Sequence, residues 1–352
     1  LPENFIRTSF PPPSAQQKDK FIRFICKHSK DFTETSLVTL ECREGIVQSM
    51  LSSRAVSLYN ITSHFEHHRL CRRQEIPSDF RDFSADPQAI SAPALLFLLT
   101  GSKKYDELLL SRAAQHLPPR GVLYIGGETD RGIKSLGKKL GLTPLAVGGG
   151  GRLFKTSAAA ILQTEMQKET THYTFKNKTV SADTYPGLFS YKKADRGTQL
   201  LIHCMENIHF SKHTVLDMGC GSGILSRIAL EENAESVTAT DVSAVALRAT
   251  EKNTARFSNI TCRPSSMGDT LSQKYDIILT NPPFHEGKNT RYSFARPWLE
   301  GVRRLLHPKG TVYLVANSFL PYEKTGAAHF DSCEIIAQNY GFTVYKMYFP
   351  KK

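Results

Sequence analysis

No stretch of the 352 residues is apolar for long enough to span a bilayer; the best run, ALLFLL at 94–99, reads as a buried strand. The seven cysteines (Cys26, Cys42, Cys71, Cys204, Cys220, Cys262, Cys333) are odd in number, scattered and without a CxxC pair. That pattern fits free thiols in a reducing cytosol rather than a disulfide framework. The opening segment LPENFIRTSFPPPSAQQKDK lacks the charged-then-apolar layout of a secretion signal and reads as a flexible tail over 1–20. Acidic residues are in the minority, 33 against 45 Lys and Arg, for a net charge of +12. A polyanionic partner, nucleic acid first, suits that balance.

The length is that of two domains. The second half alternates strand and helix patterns: HTVLDMG, GILSRIALEEN, ESVTATD, AVALRATEKNTA, then NITCRPS, YDIILT, FARPWLEGVRRLL and GTVYLVAN, closed by the hairpin-like CEIIAQNYGFTVYKMYF. Such alternation predicts a mainly parallel sheet with helices on both faces. The first half repeats it more faintly: ALLFLLT…LPPRGVLYIGG parallels DIILTN…LHPKGTVYLVAN, and SLVTLECREGIVQSML parallels TVLDMGCGSGILSRIA. The expected fold is therefore α/β, two tandem Rossmann-like domains from a duplication. Where the second copy has Gly219, Gly221 and Gly223, the first has Glu41, Arg43 and Gly45, so the first copy is expected to keep the fold and to have lost the site. The expected layout is a tail over 1–20, a degenerate domain over 21–165, a polar linker over 166–180 within QTEMQKETTHYTFKNKT, and a catalytic domain over 181–352.

VLDMGCGSG (215–223) runs from a strand through a glycine turn into a helix. It lacks both the GxGxxG spacing of dinucleotide folds and the Lys-Ser/Thr of a phosphate loop. Asp217 ahead of the glycines repels a pyrophosphate but suits an ammonium or a hydroxyl. Asp241, ending TATD, is placed to accept from ribose hydroxyls. An amino acid, a ribose and an adenine without phosphate satisfy this set, which is S-adenosylmethionine. Further on, DIILTNPPFHEG (276–287) ends a strand on Asn281 and follows it with Pro282, Pro283 and Phe284. The Asn281 side-chain oxygen and the Pro282 carbonyl can accept both hydrogens of one amino group while Phe284 stacks on its ring. Two acceptors draw the nitrogen lone pair toward the geometry that attacks a methyl group.

YPGLFSYKKADRGTQLL (185–201), VLDMGCGSGILS, TDVSAVAL, NPPFHEG and VANSFLPY (315–322) together resemble the ribosomal RNA small-subunit guanine-N2 methyltransferases of the C type. The resemblance implies S-adenosylmethionine-dependent methylation of a 16S rRNA guanine, with the small ribosomal subunit as partner, in a cytoplasmic monomer. Residue by residue, Asp217, Gly219, Gly221 and Gly223 would hold the cofactor's methionine end, and Asp241 with Val242 its ribose. Ser266 and Met267 would flank the adenine, although Ser266 stands where such families place Asn or Asp. Phe189, Gly197 and Gln199 match the segment that lids the cofactor. Lys192, Lys193 and Arg196 would meet phosphates at the mouth, and His285, Lys288 and Arg291 RNA beyond the target loop. The tetrad alone also fits large-subunit guanine, adenine-N6 or glutamine-amide methylation. A rival of another class is an RNA-binding assembly factor without catalysis.

Other signals carry less. His64, His67, His68 and Cys71 in HFEHHRLC cannot close a metal tetrahedron from one short helix, so no metal is expected there; a basic face toward RNA is the better reading. GGGG at 148–151 reads as a flexible turn, Glu286 as a loop residue, and Trp298 as packing.

Overall fold

The structure, a computed structural model, describes residues 20–32, 36–42, 57–90, 92–282, 295–320 and 322–351. Arg43, Gly45, Pro283, Phe284, His285, Glu286, Lys288 and Arg291 lie outside the described residues. The chain divides into two compact units, Leu1–Gln167 and Lys168–Lys352.

In the first unit the strands are β1 (Ser36–Leu40), β2 (Ser57–Thr62), β3 (Ser78–Phe80), β4 (Ala94–Leu98), β5 (Val122–Glu128), β6 (Pro144–Gly148) and β7 (Gly151–Ser157), with helices α1 (Lys20–His28), α2 (Phe65–Arg73), α3 (Lys103–His116) and α4 (Ile133–Lys139). The sheet order is β3-β2-β1-β4-β5-β7-β6, parallel except around β7. The second unit opens with the hairpin β8 (Glu169–Phe175) and β9 (Lys178–Thr184), followed by α5 (Arg196–Met205), β10 (Thr214–Met218), α6 (Ile224–Glu231), β11 (Ser236–Asp241), α7 (Ala244–Asn253), β12 (Ile260–Pro264) and β13 (Tyr275–Thr280). It ends with α8 (Ala295–Leu305), β14 (Leu306–Asn317), α9 (Tyr322–His329), β15 (Phe330–Asn339) and β16 (Phe342–Pro350). Its order, β12-β11-β10-β13-β14-β16-β15, repeats the first sheet strand for strand, with β16 antiparallel to both neighbours.

Burial on both faces explains why these strands read as apolar runs. Val215, Ile277 and Leu279 face a core shared with Leu201, Ile202 and Met205 of α5 and with Tyr173 and Phe175 of the hairpin. Leu216, Met218 and Ile278 face the other way, onto Trp298, Leu299, Val302 and Leu305 of α8. Each such side chain contributes about 1.5–3 kcal/mol by leaving water.

Two sequence expectations change. The polar linker placed over 166–180 is largely the β8–β9 hairpin. Its polar composition hides a period of two: Thr171, Tyr173 and Phe175 are buried while His172 and Thr174 are exposed, and the Lys176-Asn177 turn has both φ positive, at 47° and 59°. GGGG is not a loose turn. Gly149 and Gly150 close the β6–β7 hairpin with φ of 58° and 81°, and a Cβ on Gly149 would lie 2.4 Å from the Lys20 carbonyl.

The two sheets can be superimposed on their hydrogen bonds. Leu40 sits opposite Ile61 and Phe97, as Met218 sits opposite Thr240 and Thr280. The Glu41 N–H donates to the Ile61 carbonyl at 3.0 Å, as the Gly219 N–H donates to Thr240 at 2.8 Å. Glu41 therefore occupies the place of Gly219, Thr62 that of Asp241, and Leu98 that of Asn281. Both turns are left-handed, φ 54° at Glu41 and 83° at Gly219.

Candidate methyl-transfer site

The second sheet reverses its order between β10 and β13, and the crevice at the carboxyl ends of those strands is where ligands bind in open α/β sheets. The loop after β10 is built for close approach. Gly219, Gly221 and Gly223 all have positive φ, but for different reasons. A Cβ on Gly223 would lie 2.8 Å from the Thr250 Cα, so this glycine lets α6 pack on α7. A Cβ on Gly221 would meet nothing within 4 Å, so its bare face borders open space.

Two carboxylates face this loop. Asp217 is fully buried; one oxygen accepts from the Ser226 N–H at 3.0 Å and hydroxyl at 2.6 Å. Its other oxygen, Oδ1, has no partner among the described residues. Burial pushes its pKa up to about 6, against the Ser226 bonds and with help from the Asp241 charge. Asp241 accepts from Gly221 N–H at 3.1 Å and Ser243 N–H at 2.9 Å; burial raises its pKa, and those backbone donors, with Val242, oppose the rise. A buried orphan acceptor beside a second acid fits a ligand that brings a cation and hydroxyls. Between them Cys220 is held well above its usual pKa by burial and by both carboxylates, which leaves it a neutral thiol rather than a nucleophile.

The Ser265 N–H donates to the Asp241 carbonyl at 3.1 Å, which sets Ser266 and the left-handed Met267 (φ 50°) beside the acid. The turn is held by Asp269, whose carboxylate accepts from Ser266 N–H at 2.9 Å and Ser265 Oγ at 3.1 Å.

Asn281 extends β13 into the crevice. Its Nδ2 lies 2.8 Å from Thr198 Oγ1 and 3.5 Å from an oxygen of Asp195. A carboxylate only accepts, so the NH2 must face Asp195 and the carbonyl oxygen must face away. That oxygen is buried and has no partner among the described residues. Asp195 is fixed in turn as the N-cap of α5, accepting from Gly197 N–H at 3.1 Å and Thr198 N–H at 3.3 Å. Asp195 and Thr198 were missed in the sequence, although an Asp just ahead of an apolar helical run is a legible cap. Trp298 is buried, its indole N–H donating to Thr280 Oγ1 at 3.2 Å, and it closes the floor beneath Gly219.

Other expected residues stand apart from this cluster. Gln199 pins α5 to β8 by accepting from the Thr174 N–H at 2.9 Å and donating to its carbonyl at 2.8 Å, so its amide serves the scaffold rather than a ligand. Gly197 lets α5 lie on Phe342, whose ring would be 2.8 Å from a Cβ there. Phe189, Lys192, Lys193 and Arg196 are exposed, and Pro282 is buried. In the first unit the His64 and His67 rings stack at 4.1 Å and His68 Nδ1 lies 3.2 Å from Ser78 Oγ. No cluster of three or more metal-ligating side chains occurs among the described residues.

Comparison with known proteins matches both units. Residues 179–346 match the Methyltransferase small domain and residues 23–144 the Methyltransferase small domain N-terminal model. The Ribosomal RNA small subunit methyltransferase C of Hamiltonella defensa is 26% identical over 92% of this chain and 97% of its own. The chain resembles the small-subunit ribosomal RNA methyltransferases C along nearly its whole length. Its relative of the same name in Acinetobacter baylyi is 27% identical over 86% of this chain and 90% of its own. A T. Thermophilus 16S rRNA N2 methyltransferase, solved in complex with AdoMet and guanosine, has the same fold: TM-score 0.80 at 19% identity, over 94% of this chain and 92% of that one. The two domain models coincide with the two sheets, and Asn281 lies in the part that matches the Methyltransferase small domain.

Proposed function

We propose that the second unit transfers the methyl group of S-adenosylmethionine to the exocyclic N2 of a guanine in 16S rRNA. The observation that carries this reading is the Asn281 amide, locked with its NH2 toward Asp195 and Thr198 and its oxygen buried without a partner. An acceptor held this way suits an amino group entering from the crevice. Asp217 Oδ1 would hold the cofactor's ammonium and Asp241 its ribose, with Gly219 and Gly221 admitting it against bare backbone. Bound there, S-adenosylmethionine supplies an electrophilic methyl group.

The Asn281 oxygen and the Pro282 carbonyl accept the two N–H bonds of the guanine amino group, and Phe284 stacks on its base. These acceptors strengthen as the nitrogen gains positive character, so they favour the transition state over the bound substrate. No strong base is needed, because the amino nitrogen would lose its proton to water only after it has taken the methyl group and become positively charged. The guanine leaves its stack to enter, at a few kcal/mol that phosphate contacts offset. The relatives' names point to the small subunit, and the enzyme acts on it as a cytoplasmic monomer. The first unit positions RNA or supports folding; unchanged methylation after its deletion refutes that role.

The test supplies labelled S-adenosylmethionine with small subunits, large subunits, naked rRNA and a protein extract. N2-methylguanosine in small-subunit RNA, abolished by Asn281→Ala, is the expected result. Label in N6-methyladenosine or in protein keeps the site and overturns the substrate. Absence of both label and cofactor binding overturns the enzyme reading.

A further inference from the structure

Tyr340 is unlike any other side chain on the sheet's carboxyl edge. At 72% exposure it is the most exposed large apolar side chain among the described residues. It is also left-handed, φ 51°, as the first residue of the two-residue turn between β15 and β16, with Gly341 at 80°. Turns of this kind favour Asn, Asp or Gly at that position, since a bulky side chain is strained there. Neither local conformation nor burial accounts for a tyrosine at this site.

Its surroundings suggest what does. β14 runs parallel to β13, and Asn317 at its end pairs with Phe342, which puts the β15–β16 turn on the same edge as Asn281. The Ser318 N–H donates to the Gly341 carbonyl at 2.8 Å, so Tyr340 and the 58% exposed Phe319 flank one backbone bond. The Arg196 guanidinium lies over the Tyr340 ring at 5.7 Å, and Arg196 directly follows Asp195, whose carboxylate reaches Asn281. Exposed Lys192 and Lys193 precede it in the chain.

We propose that Tyr340 and Phe319 form a stacking platform for an unpaired nucleotide flanking the target guanine, with Arg196 on its phosphate. The proposal rests on the RNA methyltransferase reading above. An exposed ring backed by a guanidinium takes the face of any base, and the net charge of +12 favours a polyanion over a neutral or basic partner. Base flipping leaves a neighbouring base unstacked, and the platform replaces the partner that base has lost.

The decisive variant is Tyr340→Asn, because asparagine suits the left-handed turn and so does not threaten folding. It is expected to raise the melting temperature and weaken binding of a short guanine-containing single-stranded RNA about tenfold, the worth of one stacked base. Tyr340→Phe retains the affinity. In methyl transfer the Tyr340→Asn loss falls on KM for RNA, while kcat and S-adenosylmethionine affinity stay as in the wild type. Arg196→Gln reduces the slope of log affinity against log salt by about 0.7, one phosphate contact on a single strand. Unchanged RNA affinity in Tyr340→Asn overturns the platform, even if the wild type methylates guanine. Unchanged affinity with methylation lost only on assembled subunits also overturns it and assigns the ring to a protein contact. Weakened RNA binding in a chain that transfers no methyl group leaves the platform standing and removes the function proposed above.

Discussion

Thr198 never touches the substrate in this scheme, yet it should set the rate through Asn281. Its hydroxyl oxygen is 2.8 Å from Asn281 Nδ2, and the only other partner of that NH2 among the described residues, Asp195, is more distant at 3.5 Å. Thr198→Val keeps the shape of a buried side chain and deletes the hydroxyl. The amide then loses one hydrogen bond that distinguishes its working orientation from the flipped one, about 1 kcal/mol, or about fivefold in kcat. The Asp195 carboxylate still disfavours the flip, which keeps the loss from approaching that of removing the amide. Asn281→Ala, which deletes the acceptor itself, should cost about a hundredfold to a thousandfold. Single-turnover methyl transfer at saturating cofactor and RNA separates these effects from binding. Thr198→Ser should restore the rate, and adding Thr198→Val to Asn281→Ala should cost nothing further, because Thr198 acts only through the amide. A wild-type rate in Thr198→Val, or full additivity in the double variant, would refute the reasoning.

Asp217 makes stability and cofactor affinity respond oppositely to pH. Its folded pKa, raised to about 6 from 3.8, means that the buried charge weakens the fold most above about pH 6, with the penalty fading toward pH 4. Cofactor affinity, which needs the charge, should hold above pH 6 and drop about tenfold per unit below it; Asp217→Asn should flatten both curves in calorimetry. Gly221→Ala should abolish cofactor binding while costing about 1–2 kcal/mol, since only the left-handed backbone opposes it. Gly223→Ala drives a methyl against the Thr250 backbone and should lower the melting temperature more. In the first unit Glu41→Gly should orphan the Ser63 N–H at about 1–3 kcal/mol while relieving about 1–2 kcal/mol of left-handed strain, leaving a net loss of about 0–1 kcal/mol that chemical denaturation measures. It should create no second cofactor site in equilibrium dialysis.

The alternating strands and helices from β10 to β14, and the closing β15–β16 hairpin, were legible because most are strong patterns bounded by glycine, proline or acid, whereas α5 and α9 went unread. The glycine turn and the Asn-Pro-Pro run could be placed at strand ends for the same reason. What the sequence hid was of two kinds. The β8–β9 hairpin uses threonines and a histidine between its buried rings, so polar composition masked its period of two. Asp195 and Thr198 act through contacts between segments far apart in sequence: 83 positions separate Thr198 from Asn281. Residue type alone cannot reveal such partners. Gln199 erred in the opposite direction. An amide beside the pocket in sequence looks like a ligand group until β8 is seen to take both of its hydrogen bonds.

The two copies separate what the fold requires from what the chemistry requires. Both sheets need a left-handed residue after the first strand, donating its N–H to the second. Glycine meets that need freely, whereas Glu41 accepts it at about 1–2 kcal/mol. The glutamate offsets the strain with its side chain, which is buried and accepts from Ser63 N–H at 2.9 Å and lies 3.4 Å from the Thr62 hydroxyl. Those atoms follow β2 where Asp241 and Val242 follow the strand in the second unit, so the carboxylate fills the place where a ribose would be read. The strand end corresponding to Asn281 is Leu98, and just beyond it Asp106 accepts from Thr100 N–H at 2.9 Å, its hydroxyl at 2.7 Å and Gly101 N–H at 3.2 Å. A short locked turn stands where the second copy carries Asn-Pro-Pro-Phe. At the ends of β1 and β4 the first copy bonds these polar groups to its own loops, whereas the second leaves Asp217 Oδ1 and Asn281 Oδ1 without a partner among the described residues. Open polar groups destabilise a domain, and closing them is what a copy relieved of catalysis can do. On the proposed function, Asp217 Oδ1 and Asn281 Oδ1 are the two acceptors that a bound cofactor and a target amino group would satisfy.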